Sequence, residues 1–547
     1  VNQLARFQLN SPTDRLKLLL AIVLLAGIFF RLTNLDQQIY WHDEAYTSLR
    51  ISGYNAIEVK QLLFQGNVIS VADLLAYQRP TAEKTVVDTV RSLMTEDPQH
   101  PPVYYVLVTI WAQLFGASIA AIRSLSALLS LLIFPGAYWL CRELFAFAGK
   151  SSFVSNQIAP LMTGLTIALM AVSPYHVLYA QEARQYPLWA VLILFSSAAL
   201  LRAIRVNTRF SWVVYTICLV LGLYTHPFML LVAIGQGIYL LVVNRARIDR
   251  IFLSYLLAFG ISVLAFAPWL KIIIEIGART GTSWTAIPIP LPILLKTWGL
   301  HLERAFLIPT GDFGFDDWLV YLSLPVLLLL VIYAFYTLCR YAPLRIWLFV
   351  VILTGSVLVP LVLPDLVIGG QRSTSSRYLV PTYLGMQLAV AYLLASKLLS
   401  LNPVKQKLWR GITAGLLSIS LIAGAVNTQA ETVWTKVVSY HLPIVARIIN
   451  SAPQPLVVST SFGTNFGNLL ALSHLVEPKV KFQLIDVALP PAVQQAIQVP
   501  TGFSSVFLLN PSETMQQQLV QQPDRAELIF NDSHLFLWKL RDHTTQT

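Results

Sequence analysis

The feature that most constrains this chain is a recurrence of long stretches without a single Asp, Glu, Lys or Arg. They run over 98–122, 124–141, 151–181, 185–201, 210–244, 251–270, 318–339, 346–364, 378–396 and 411–430. A helix needs about 20 apolar residues to cross about 30 Å of hydrocarbon, and these stretches supply them repeatedly. A further span is predicted at about 16–33, with Lys17 and Arg31 near its ends, where long basic stems snorkel to the interface. Composition agrees. The 547 residues are 56% hydrophobic and 12% charged, against about 25% charge in a soluble domain. A soluble enzyme, a disordered chain and a small disulfide scaffold are excluded. Cys141, Cys218 and Cys339 show no CxxC spacing, so neither a disulfide framework nor a zinc knuckle is indicated. The net charge of +11 is read as basic cytoplasmic loops facing anionic lipid rather than as a nucleic-acid surface.

The 35 residues of 210–244 would make a helix of roughly 52 Å, too long for one crossing. Within them Tyr224-Thr225-His226-Pro227 predicts two short helices meeting at His226, because proline disfavours helix at the preceding residue. Basic residues around 6–17, 202–209, 245–250, 340–345 and 397–410 are assigned to the cytoplasmic side. The loop 41–100, the segment 173–186, the His226 corner, 271–317, 365–377 and the tail then face outward. Parity fails if both 98–122 and 124–141 cross, so one of them is expected to be re-entrant or too short.

The tail 427–547 differs in kind, with 8 acidic and 7 basic residues. Short apolar segments at Leu456–Thr460, Lys481–Ile485, Ser505–Leu509, Glu527–Phe530 and Leu535–Trp538 alternate with polar helical stretches such as 512–521. The expected fold class is an all-α polytopic membrane domain over 1–426, with about 11–12 spans and a catalytic outward loop at 36–100. A small extracytoplasmic α/β domain follows over 427–547.

Chemically informative residues gather at outward helix ends. Trp41-His42-Asp43-Glu44-Ala45-Tyr46 opens the first loop, and Glu96-Asp97-Pro98-Gln99-His100-Pro101-Pro102-Val103-Tyr104-Tyr105 closes it. Paired carboxylates beside histidine suit a general base, a divalent metal, or both. The alternatives are a solvated acidic loop and an aromatic belt. Tyr179-Ala180-Gln181-Glu182-Ala183-Arg184-Gln185-Tyr186 stands between two apolar runs, where charge is costly unless interfacial or paired. Arg377-Tyr378 lies just outside a span. A guanidinium there suits phosphate oxygens, with snorkelling as the alternative. Together these residues suggest a reaction on a phosphate-bearing lipid.

The ordered series Trp41-His42-Asp43-Glu44-Ala45, His100-Pro101-Pro102-Val103-Tyr104-Tyr105, Leu114-Phe115-Gly116, Arg123-Ser124-Leu125-Ser126-Ala127, Tyr179 to Tyr186, Tyr224-Thr225-His226 and Arg377-Tyr378-Leu379-Val380-Pro381 resembles the polytopic GT-C glycosyltransferases. The resemblance covers about residues 15–400. It is to the family-39-like branch of protein O-mannosyltransferases and lipid A aminoarabinose transferases. Gln99-His100 stands where the aminoarabinose transferases carry a glutamate–lysine pair.

What the resemblance implies is inverting transfer of a sugar from a polyprenyl-phosphate carrier to a hydroxyl of a lipid, glycan or protein acceptor. The reaction would take place on the outer face of a membrane, expected to be a bacterial plasma membrane, and no nucleic acid is involved. Asp43 would be the general base and Glu44 would position it or the acceptor. Arg184 and Arg377 would neutralise the phosphate, with Glu182, Tyr186, His226 and Tyr378 lining the donor site. Asp97 and His100 would be ligands of a divalent metal ion. The competing readings are a flippase or transporter of a lipid-linked sugar, which would not need Asp43, and a non-catalytic membrane scaffold.

Overall fold

A computed structural model describes residues 12–146, 154–277, 283–307, 318–487, 500–512 and 526–541. The chain divides into two units. One comprises Val1–Thr33, Ser126–Ile274 and Arg279–Thr428, the other Asn34–Leu125, Glu275–Ala278 and Gln429–Thr547. The first long loop, within Asn34–Leu125, and the tail from Gln429 share one unit.

Among the described residues six helices are long and apolar enough to cross a membrane. They are Ile119–Phe145, Tyr186–Val206, Arg250–Ile276, Trp318–Tyr341, Leu344–Val367 and Pro403–Asn427. A bent pair, Asn156–Val172 with Pro174–Ala180, makes a seventh if counted as one span. Its 55° bend falls at Ser173, where Pro174 pushes the preceding residue out of the helical region. The protein is a multi-pass membrane protein. Fewer helices meet the length and apolarity test than the 11–12 spans expected from sequence, and the difference has two sources.

Some helices are short. Arg209–Leu223 and Met229–Val243 have 15 residues each, about 22 Å of rise, and flank the His226 corner. Pro102–Phe115 has 14 residues, so of the two segments in conflict over parity it is 98–122 that holds a helix too short to cross. Others are wrapped in protein rather than lipid and so tolerate polar residues. Val380–Leu398 is buried almost throughout and carries Gln387 and Thr382 inside. Even among the six that meet the test burial varies, from 89% over the apolar window of Tyr186–Val206 to 22% for Trp318–Tyr341.

Arg31 departs from the snorkelling expected of it. Its guanidinium is fully buried and donates to the carbonyls of Gly27 and Met170, each at 2.8 Å, and of Ala171. Gly27 makes this approach possible, since a Cβ there would overlap the Ala171 backbone. The cation thus satisfies the last, otherwise orphaned carbonyls of the helix Ala159–Val172.

The other unit is built on one six-stranded sheet with strands β1 (Gln65–Ser70), β2 (Pro455–Thr460), β3 (Lys481–Ile485), β4 (Ser505–Leu509), β5 (Ala526–Asn531) and β6 (Phe536–Leu540). The order is β1-β3-β2-β4-β6-β5. β3, β2 and β4 are parallel, and the strands flanking them are antiparallel. The helix Asn465–Leu472 lies between β2 and β3 in the chain, the crossover that parallel pairing requires.

All five tail strands coincide with the apolar segments read from sequence, within two residues at each end. β1 is the addition. Its sequence, QGNVIS, is polar and largely exposed, yet it pairs along β3 from Gln65↔Ile485 to Ser70↔Lys481. The core mixes both sources, packing Leu49, Val59, Phe64 and Leu74 of the loop with Val457, Phe466, Leu469 and Phe482 of the tail. The expected helical stretch 512–521 lies, beyond residue 512, outside the described residues.

Candidate active site

The candidate residues fall into two groups, one in each unit. In the sheet-bearing unit, Asp43 and Glu44 occupy the first turn of the helix His42–Ile51, where the helix dipole favours negative charge. The helix has no side-chain cap of its own at Trp41. Instead the His42 backbone N–H donates to Ser439 Oγ at 3.0 Å.

Glu44 is completely buried and is gripped by Arg123, whose Nε and Nη2 donate to its two oxygens at 2.7 and 2.6 Å. The remaining Arg123 N–H groups go to the carbonyls of Leu35, Gln38 and Ile39 at 2.7–2.8 Å, so all five donors of the fork are used. Lys436, also fully buried, brings its Nζ to 3.5 Å from Glu44 Oε2. Glu44 therefore acts on its surroundings through Arg123 and Lys436, while Asp43, next to it, is half-buried.

Asp97 closes the helix Val86–Glu96 and its Oδ1 lies 2.9 Å from His100 Nδ1. The Tyr46 hydroxyl feels Glu96, Arg50, Asp97 and Asp43. Burial first, then the Glu96 charge, pushes its pKa well up, so it remains a neutral donor. Asp97 and His100 offer two donors to a metal ion. Among the described residues no group of three or more His, Cys, Asp or Glu side chains is arranged to hold one. Trp41, Tyr104 and Tyr105 are buried within the protein and do not form a lipid-facing belt.

In the membrane unit the second group comes together through aromatic rings. The turn after the helix Pro174–Ala180 is tight, with the Arg184 N–H donating to the Glu182 carbonyl at 2.8 Å. It is anchored by Gln181, whose amide donates to the carbonyls of Phe30 and Thr33. Glu182, Arg184 and Tyr186 are all buried. The Arg184 guanidinium lies over Tyr186, 5.9 Å from its centroid. Tyr186 lies 6.1 Å from the His226 ring, which is stacked on Trp189 at 4.0 Å and 11°. His226 is also 6.1 Å from Tyr378, and Arg377 sits over Tyr378 at 5.6 Å.

A chain of rings thus joins two arginines that are remote in sequence. The segment bearing Arg377 is shaped by Asp365, which accepts from the Arg372 and Ser373 backbone N–H groups and from their side chains at 2.7–3.0 Å.

Several residues of this region were not singled out by sequence. The Tyr179 hydroxyl is 3.0 Å from Ser376 Oγ, and Tyr175 donates to the Ser376 carbonyl at 3.1 Å. Tyr175 packs on Tyr383 at 3.9 Å. Arg304, at the end of the helix Leu291–Arg304, is buried within electrostatic reach of Tyr383 and Tyr179. Arg31, Tyr175, His176, Tyr179 and Tyr186 line a narrow cavity of about 10 Å³, room for roughly one water. Arg123 stands in the ordered series read from sequence, isolated between apolar stretches, but carries no assigned role there. No comparable signal marks Arg304 or Lys436.

No protein-family profile matches the sequence, and no curated protein matches it either. The fold does find relatives among solved structures. The crystal structure of ArnT from Cupriavidus metallidurans bound to undecaprenyl phosphate is 13% identical, with TM-score 0.50, covering 98% of this chain and 100% of that one. A weaker likeness, at TM-score 0.49 and 11% identity, is to the archaeal oligosaccharyltransferase AglB from Archaeoglobus fulgidus in complex with an inhibitory peptide and a dolichol-phosphate. It covers 91% of this chain and 70% of that one. The chain carries the GT-C fold of polytopic membrane glycosyltransferases.

Proposed function

We propose that this protein transfers a sugar from a polyprenyl-phosphate carrier to a hydroxyl acceptor, with inversion, on the extracytoplasmic side of a bacterial plasma membrane. The observation that carries this reading is the ring-linked pair Arg184 and Arg377 in the membrane unit of a GT-C fold. Two buried or half-buried guanidinium groups supported on tyrosine faces suit an anion that arrives through lipid. A ring beneath a guanidinium supports its face, and a planar guanidinium matches the geometry of phosphate oxygens.

A lipid phosphate is already a good leaving group, so no strong general acid is needed, unlike the two-carboxylate hydrolysis of glycosides. Cations must hold the negative charge that grows on the departing phosphate. Arg184 and Arg377 take that part, with Glu182 fixing the turn's charge balance and Tyr186, His226 and Tyr378 forming the aromatic wall. A base must take the acceptor proton, and that part falls to Asp43. Glu44 fixes the start of the Asp43 helix. Asp97 and His100 would be the residues to hold a divalent ion, which would supply further positive charge to the phosphate.

The test is release of undecaprenyl phosphate from a panel of undecaprenyl-phosphate-linked hexoses and pentoses by the full chain in lipid nanodiscs, with added lipid, glycan and peptide hydroxyl acceptors to receive the sugar. Asp43→Asn is expected to abolish release while leaving the binding of undecaprenyl phosphate intact. Wild-type release in that variant would favour a transporter that does not need the carboxylate. No release by the wild type with any member of the panel would overturn the reading.

A further inference from the structure

The residues flanking Asp43 are held by the tail of the chain. His42 donates its backbone N–H to Ser439 Oγ, which in turn donates to Asn468 Oδ1 at 2.8 Å. The His42 ring lies so close to Gly467 that a Cβ on that glycine would overlap it. Trp41 and Glu44 are both met by Lys436, whose Nζ is 5.8 Å from the Trp41 ring centroid and 3.5 Å from Glu44 Oε2. Trp41, His42 and Glu44, which surround Asp43 in the chain, are therefore all met by residues of 436–467.

The grip is costly to build. The Lys436 ammonium is fully buried, and a buried lysine is retained only where it is well paired. The next residue, Val437, has φ 29° and ψ −98°, a left-handed conformation rare for a β-branched side chain. Arg123 already supplies Glu44 with a full bidentate partner, and Lys436 adds a second cation to the same carboxylate. Strained backbone concentrates where function demands it.

We infer that Lys436 is a positioning residue for the transfer reaction, fixing the Asp43 helix turn through Glu44 and Trp41. This rests on the reading of Asp43 as the base. The ammonium adds an ion pair at 3.5 Å to one oxygen of Glu44 while the planar guanidinium of Arg123 holds both. Together they leave the carboxylate, and the helix turn that carries it, a single orientation. Proximity and orientation are worth orders of magnitude in rate when they fix a reacting group to a fraction of an ångström. The tail is then part of the catalytic apparatus and not an appended module.

The experiment compares Lys436→Met, Lys436→Gln and Lys436→Arg with Asp43→Asn and wild type, all as full chain in nanodiscs, by release of undecaprenyl phosphate from the same lipid-linked sugars. Lys436→Met is expected to lower kcat by about tenfold or more with KM for the lipid donor unchanged, and Lys436→Arg to recover most of the loss. Lys436→Gln, which keeps a donor and most of the stem, decides the matter should the Met variant not fold, and it should show the same split at smaller size. Unchanged kcat in the folded variants overturns the inference. So does a loss in which kcat and KM move together, or one that follows the folded fraction. An Asp43→Asn variant that keeps turnover sinks the parent reading instead, whatever the Lys436 variants do.

Discussion

Buried cations occur in both units of this protein, and each unit satisfies them in its own way. In the sheet-bearing unit Arg123 spends all five N–H groups on one carboxylate and three carbonyls, and Lys436 closes on the same carboxylate. In the membrane unit Arg184 and Arg377 rest on tyrosine faces, linked through His226. The first arrangement fixes geometry, because every donor has a covalently tethered partner. The second sets each cation against an aromatic face. Arg31, within the membrane unit but donating to three carbonyls, belongs with the first kind. Position in the membrane does not by itself decide which arrangement an arginine takes.

The largest effect expected falls on chemistry. Asp43→Asn should cut turnover by about 10²–10⁴, the range for removing a general base, with little change in thermal stability. A small loss would break the assignment of base chemistry to the sheet-bearing unit. Next in size is Arg123→Met. Stripping the partner from a buried carboxylate costs about 3–5 kcal/mol, to be read as a lower Tm of the full chain in detergent. A Tm within a degree of wild type would remove the contrast between fixed and ligand-holding arginines.

A pH effect of intermediate size is expected from His474, whose Nε2 lies 3.0 Å from Gln78 Oε1. Burial first, then the Arg79 and Arg123 cations, lower its pKa from 6.5 to about 4. Between those values the unfolded chain binds a proton that the folded one refuses. Stability is therefore full above about pH 6.5 and lost as pH falls towards 4, by about 2 kcal/mol between pH 7 and 5. His474→Gln should flatten that slope, and an unaltered slope would remove the histidine from the account.

The smallest effect expected is on carrier binding. Arg377→Lys keeps the charge and loses the planar fork, and should weaken undecaprenyl phosphate by about tenfold. Equal affinity would reduce Arg377 to an interfacial cation and blur the difference between the units.

Much of this could be read along the chain. The His226 corner announced itself through Pro227 and the length of 210–244. The tail strands were visible as short apolar segments separated by polar ones. β1 was not, because Gln65–Ser70 lacks both apolar alternation and β-branched density, and it is a strand only because β3 offers its edge. Arg31 stood at the end of an apolar stretch, where snorkelling is the ordinary outcome. The carbonyls that receive it instead belong to Met170 and Ala171, far along the chain. Arg304 and the Tyr175–Tyr383 pair lay inside unremarkable segments and became part of the region only by packing.

The residues in order determined that this protein lives in a bilayer, roughly where its helices run, and that carboxylates and arginines stand at the ends of its apolar stretches. Hydropathy and turn chemistry are local, and a window of some 20 residues holds all the information they need. Only the folded chain decided that the first loop and the tail share one sheet and one core. The same is true of Glu44, which answers to both Arg123 and Lys436, and of the rings that bring Arg184 and Arg377 together. Those outcomes depend on which distant groups can satisfy a buried charge or an unpaired strand edge, and no local window contains both partners.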